Sequence, residues 1–197
     1  MRADKKVDFD PGMAYNIREE KNGGRKKMTD YTAEYFIENL KMQPHPEGGW
    51  FYENLYGTKT LADFGGTDGH GYEGKERLLW NSILFLLKEG EISHLHRLQS
   101  DETWFYHFGQ ALTLYAISPE GDLTVSKLGP NLAEGEALQV LIPAGTVFGA
   151  KMEEGNFSLV GCVCCPNFRY EEFELLSREE LLKDFPEHKD LICALTE

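Results

Sequence analysis

Between Gly90 and Gly109 the chain reads GEISHLHRLQSDETWFYHFG and carries three of its six histidines. His94 and His96 stand two apart, so on an extended strand, where side chains alternate between faces, both imidazoles project the same way. After a polar turn of Gln99, Ser100 and Asp101 the period resumes with Glu102, Trp104, Tyr106 and Phe108. The stretch predicts a hairpin that brings His94, His96 and Glu102 to one point. Two neutral imidazoles and a carboxylate suit a divalent first-row metal: iron, manganese, nickel or zinc. Two metal-free readings fit the same side chains. In one, the histidines bond to Glu102 and hold a small ligand directly. In the other, His96 is a general base oriented by Asp101 or Glu102, as proton abstraction beside a carbonyl requires.

Other residues follow from the same period. Trp50, Trp104 and Tyr106 either wall a pocket or fill a core. Glu47 precedes Gly48-Gly49 and is placed at a pocket mouth. Arg97 alternates with His96 and points outward, and His107 is out of phase with Glu102. With Arg77 the nearest cation in sequence, a neutral or weakly polar ligand is expected rather than a phosphate or nucleotide sugar.

Composition narrows the classes. The 197 residues are 41% hydrophobic, enough for one domain with a substantial core. The net charge of −13 excludes nucleic-acid and anionic-membrane partners that need a concentrated basic face. No apolar run reaches transmembrane length and no signal-peptide core is present, so a cytoplasmic protein is expected. Cys162, Cys164, Cys165 and Cys193 are too clustered for a disulfide framework, which fits a reducing compartment. Packing is the expected role of the first three.

The elements that must position the histidines are mostly short strands. Residues 1–29 hold eight Lys or Arg against five Asp or Glu and little apolar periodicity, so a disordered basic leader is expected there. Gly23-Gly24-Arg25-Lys26-Lys27 can be encoded almost entirely by purines, as a ribosome-binding stretch would be, which makes Met28 a candidate native start and residues 1–27 a candidate non-native leader. Ala33, Phe36, Ile37 and Leu40 predict a helix capped by Thr29 or Asp30 and ended by Pro44 and Pro46. Strands are predicted over 50–56, 78–87, 111–117, 123–128, 138–142, 146–150 and 157–163, with a long glycine-rich surface loop over 61–76. A terminal helix over 177–195 opens on a Ser177/Glu180 capping box. Many short strands with helices only at the two ends make a mainly β sandwich or barrel.

Gly90, His94-Leu95-His96, Glu102 and Gly109 resemble the first motif of the cupins. Pro143-Ala144-Gly145 resembles the turn of the second, with Phe148 where that motif places a histidine. HPEGGWF, SILFLL, SHLHRLQSDETW and LVGCVCCPNFRYEEFEL are similar to blocks of the cupin_5 branch, whose biochemical function is largely unsettled. That resemblance covers the chain from about Tyr31 onward. It implies a jelly-roll β-barrel domain over 30–197, a homodimer, and a ligand pocket inside the barrel. Matching positions include His45, Glu47, Gly48, Gly49, Trp50, Ser82, His96, Arg97, Ser100, Asp101, Glu102 and Trp104. Phe105, Val147 and Asn167 depart from the pattern. The expected ligand-binding set is Glu47, Ser82, His94, His96, Glu102, Trp104, Tyr106 and Phe148. His94, His96 and Glu102 are the candidate metal ligands, and His96, Glu102 and Asp101 the candidate catalytic groups. Small-molecule binding is the leading expectation, with a metal-dependent oxygenase or isomerase, or a metal-free epimerase-like enzyme, as alternatives.

Overall fold

The computed structural model describes residues 31–65 and 77–197. The expectations for the basic leader and Met28 and for most of the 61–76 loop lie outside the described residues.

Helix α1 (Ala33–Leu40) begins one turn later than the sequence reading placed it, because Thr32, not Thr29 or Asp30, caps it by accepting from the Tyr35 N–H. It ends before the prolines, where Lys41 turns left-handed at φ 56°. Eleven strands follow among the described residues: β1 (Gln43–Pro44), β2 (Trp50–Tyr56), β3 (Asn81–Lys88), β4 (Ile92–Leu98), β5 (Asp101–Gly109), β6 (Leu112–Ile117), β7 (Leu123–Leu128), β8 (Gln139–Ile142), β9 (Val147–Lys151), β10 (Phe157–Cys165) and β11 (Phe173–Leu175). They form two antiparallel sheets, ordered β1-β2-β3-β10-β5-β8 and β11-β4-β9-β6-β7. This is a jelly-roll sandwich whose sheets do not close into a barrel. The single terminal helix of the sequence reading is two, α2 (Arg178–Asp184) and α3 (Lys189–Ala194), since Pro186 opens a short 3₁₀ turn between them. Its capping box is present at Ser177 and Glu180.

The pairing corrects the expected hairpin. β4 bonds to β9 and β11, whereas β5 bonds to β10 and β8, so the two strands lie in opposite sheets. Gln99 and Ser100 carry the chain across the sandwich rather than around a two-strand turn. His96 and Glu102 therefore reach a common space from facing sheets, not from neighbouring strands.

Between the sheets lies the main core, with Phe85, Leu87, Trp104, Leu112, Leu114, Phe148 and Val160. α1 covers part of the outer face of the six-stranded sheet at Leu84, Leu86, Phe157 and Leu159. Leu181, Ile192 and Leu195 from the C-terminal segment cover Leu95, Ile117 and Val147 of the other sheet. Burial of this kind contributes roughly 25 cal/mol per Å² of apolar surface, and it leaves one end of the sandwich to be filled by polar groups. Among the described residues no helix is long and apolar enough to cross a membrane.

Candidate functional site

Toward that end the core gives way to a cavity of about 40 Å³, room for on the order of three waters. Period-two alternation decides what faces it. Phe51 and Glu53 enter from β2, Asn81, Ile83 and Phe85 from β3, Glu102 and Trp104 from β5, and Cys162 and Cys164 from β10. His96 and Leu98 come from β4 in the opposing sheet, His45 and Glu47 from the connection between β1 and β2, and Phe168 and Tyr170 from the segment after β10.

Glu47 is the hub. The His45-to-Gly49 turn is closed by backbone bonds from Gly48 N–H to the His45 carbonyl and from His45 N–H to the Gly49 carbonyl. Its backbone also reaches β4, where the His94 N–H donates to the Glu47 carbonyl at 2.7 Å. Gly48 has φ +107°, and a Cβ there would overlap the Ile92 carbonyl oxygen. Gly48→Ala is therefore expected to lower stability by about 1–3 kcal/mol and to shift Glu47, measurable as a lower urea midpoint.

The Glu47 carboxylate accepts from Ser93 Oγ at 2.8 Å through Oε1, while His45 Nδ1 and His96 Nε2 both stand 3.3 Å from Oε2. The Glu47 amide approaches His45 Nδ1 at 3.4 Å, the outer limit of a hydrogen bond, so the charged carboxylate is the stronger partner of that nitrogen. His96 Nδ1 lies 2.7 Å from the His94 carbonyl. A carbonyl only accepts, so Nδ1 carries a proton and Nε2 is the atom that exchanges one with Glu47 or with a molecule in the cavity. Phe148 and Phe173 pack on the imidazole with ring centroids 4.1 and 5.4 Å away and hold its plane.

Glu102 is the second buried carboxyl, and its surroundings differ. Trp104 Nε1 donates to it at 2.7 Å and Cys164 Sγ at 3.5 Å, and no cation touches it among the described residues. Burial, reinforced by the negative charge of Glu47, pushes the Glu102 carboxyl up to about 7. Burial also pushes Glu47 upward, but the charges of His96 and His45 and the bonds from His45 and Ser93 outweigh it and hold that carboxyl below its ordinary value. One cavity thus holds an ionised carboxylate paired to imidazoles and a carboxyl that is half protonated near neutrality.

Of the expected ligand-binding set, Glu47, His96, Glu102 and Trp104 meet in the cavity, while Ser82, His94, Tyr106 and Phe148 are not among the residues lining it. Ser82 lies between the inward Asn81 and Ile83 and so faces the other side of the sheet. His94 is displaced by a bulge: β4 pairs Ser93 with Ala150 and His96 with Phe148, three residues spanning what β9 spans in two. Alternation breaks there, and the two imidazoles do not share a face. Tyr106 belongs to the core and donates to the Gly109 carbonyl at 2.7 Å, and Phe148 buttresses His96. Asp101 is exposed and accepts from the Ala144 N–H at 2.9 Å, bracing a turn. Arg97 points outward onto Glu174.

Among the described residues no group of three or more His, Cys, Asp or Glu could hold a metal ion. The expected His94, His96 and Glu102 triad is not assembled, because the bulge removes His94 and because Glu102 is turned onto Trp104 and Cys164. The nearest alternative, His45 and His96, is gathered on a carboxylate oxygen rather than around a vacant point. The donor set does not fit a bound metal, and no step below runs through one.

Sequence reasoning assigned no role to His45, although HPEGG signalled it through the tight glycine turn beside Glu47. Nor did it place Cys162 and Cys164 at the cavity; both are buried in the core as expected, whereas Cys165, expected to pack with them, is exposed at the end of β10, and all four cysteines are free.

Residues 34–176 match the family described as Cupin superfamily (DUF985), Cupin_5. A protein of Shewanella oneidensis of known crystal structure is 43% identical with a TM-score of 0.75, over 85% of this chain and 98% of that one. A hypothetical protein of Leishmania major is 32% identical with a TM-score of 0.76, over 84% and 99%. No curated protein matches the chain.

Proposed function

The chain belongs to the cupin superfamily, in its DUF985 family, and on that premise we propose that it binds a small carbonyl compound in the cavity and catalyses proton transfer on the carbon beside the carbonyl, as an isomerase or epimerase does. The observation that carries this reading is the pair of buried carboxyls, Glu47 and Glu102, facing one cavity with their protonation driven apart. Environments that separate two titrating groups in this way mark a base and an acid. In its neutral form His96, protonated on Nδ1 toward the His94 carbonyl, takes the proton from carbon at Nε2, and Glu47 stabilises the imidazolium that results. Protonated Glu102 donates to the carbonyl oxygen as the enol forms, and the reverse transfers return the proton to carbon. Atoms balance without an added oxidant or reductant. The small volume restricts the substrate to a few heavy atoms.

The test is proton exchange in D₂O with hydroxyacetone, followed as loss of the methylene signal by proton NMR. Protein-dependent exchange that disappears in His96→Ala supports the reading. Saturable binding of hydroxyacetone with no exchange leaves a binding protein instead. The same reading includes self-association, for which the exposed Leu55 and Leu141 on the outer face of the six-stranded sheet offer apolar contact.

A further inference from the structure

We infer that His45 Nε2 accepts a hydroxyl of the substrate, so that the small carbonyl compound is an α-hydroxy ketone or α-hydroxy aldehyde rather than a plain ketone; this rests on the proton-transfer reading. The His45 side chain is 7% exposed and lines the cavity. Its backbone closes the turn with Gly48 and Gly49, and the rings of Phe51, Phe85 and Phe173 meet the imidazole at 86° with centroids 4.8, 6.1 and 5.9 Å away. Nδ1 stands 3.3 Å from Glu47 Oε2. A carboxylate only accepts, so Nδ1 carries the proton, and in the neutral ring Nε2 keeps its lone pair.

Nε2 has no hydrogen-bond partner among the described residues, and it is not sealed off in the way that His94 Nδ1 is. A buried acceptor left in this state is unfavourable, and a water or a ligand hydroxyl relieves it. Its surroundings decide which ligand does so. Glu102 lines the same cavity and lies within electrostatic reach of His45, so a carboxyl proton and a lone pair serve one small space. Neighbouring polar groups are engaged elsewhere: Asn81 Oδ1 accepts from the Phe168 N–H at 2.7 Å, and Glu47 holds Ser93 and both imidazoles. A carbonyl oxygen takes the proton of Glu102, and a hydroxyl on the adjacent carbon supplies the donor that Nε2 lacks. That carbon is the one from which His96 takes its proton. A plain ketone leaves Nε2 unpartnered.

The probes are hydroxyacetone and butanone, which have equal numbers of heavy atoms and differ by a methyl in place of the hydroxyl. Titrated against the full chain near neutral pH by calorimetry, hydroxyacetone is expected to bind about tenfold tighter. His45→Asn keeps a donor toward Glu47 but has no atom at the Nε2 position. It is expected to bind the two ketones equally, with butanone unchanged, which also reports an intact cavity. His45→Gln, whose amide oxygen reaches that position, retains part of the preference; should His45→Asn bind neither ketone, loss of all preference in His45→Gln overturns the assignment to Nε2. Equal or tighter binding of butanone by the unsubstituted protein, no binding of hydroxyacetone, or a preference that survives His45→Asn overturns the proposal. Exchange of hydroxyacetone that depends on His96, without preference over butanone, overturns this inference alone. Preferred binding of hydroxyacetone without exchange overturns the proton-transfer reading alone.

Discussion

Glu102→Gln is expected to slow hydroxyacetone exchange by about 10²- to 10⁴-fold and to remove the high-pH limb of the rate profile. In the unsubstituted protein the acid must be protonated, so its activity falls as pH rises through about 7, the value to which burial and the Glu47 charge push this carboxyl. Glutamine keeps the size and can accept from Trp104 but has no proton to deliver. The substitution also carries a stability signature independent of any substrate. Between the ordinary 4.5 and about 7 the native state holds a proton on Glu102 that the unfolded chain has released. The contribution of this group is therefore fully present below pH 4.5 and is lost as pH rises to about 7, by on the order of 3 kcal/mol. Glu102→Gln should be correspondingly less sensitive over that window in urea denaturation. Glu47 works in the opposite sense: held below its ordinary value, it stabilises above that value, and its contribution is lost as pH falls through the native one. Unchanged exchange and an unchanged stability profile in Glu102→Gln would remove Glu102 from the chemistry.

Arg77→Met is expected to cost about 3–5 kcal/mol in urea denaturation, because it strands a buried carboxylate. Arg77 and Glu172 are 3% and 6% exposed, and the guanidinium also donates to Ser100 Oγ and to the Asn167 carbonyl, both at 3.1 Å. These bonds fasten the segment that carries Phe168 and Tyr170 at the cavity mouth, with Asn81 Oδ1 accepting from the Phe168 N–H at 2.7 Å. The double variant Arg77→Met/Glu172→Leu removes both charges and should recover most of the loss. A single variant as stable as the parent would show that the pair does not hold the mouth segment.

The chain's own pattern was enough for the class of fold. Short alternating strands between glycine and proline turns, apolar faces on β3, β6 and β10, and helices confined to the two ends lead to a two-sheet antiparallel protein whatever the pairing, because each strand has one face that must be buried. The motif blocks pointed to the family, and Glu47, His96, Glu102 and Trp104 were legible as site residues from their types and period. What local pattern cannot carry is pairing between strands distant in sequence. Two residues between β4 and β5 read as a hairpin turn, yet the edges of β5 are taken by β8 and β10 and those of β4 by β9 and β11. Only that competition for partners puts His96 and Glu102 on facing sheets.

The same holds for the histidines. Alternation presumes an unbroken strand, and His94 left the site because β9 has one residue fewer than β4 across the bulge. His45 and Cys164 entered it through contacts with residues far along the chain. Protonation was decided last and only in three dimensions. Glu47 and Glu102 are the same residue type and both are buried, and their opposite shifts come from what tertiary packing set beside each: two imidazoles and a hydroxyl outweigh burial at Glu47, whereas at Glu102 burial and the Glu47 charge outweigh the bonds from an indole and a thiol.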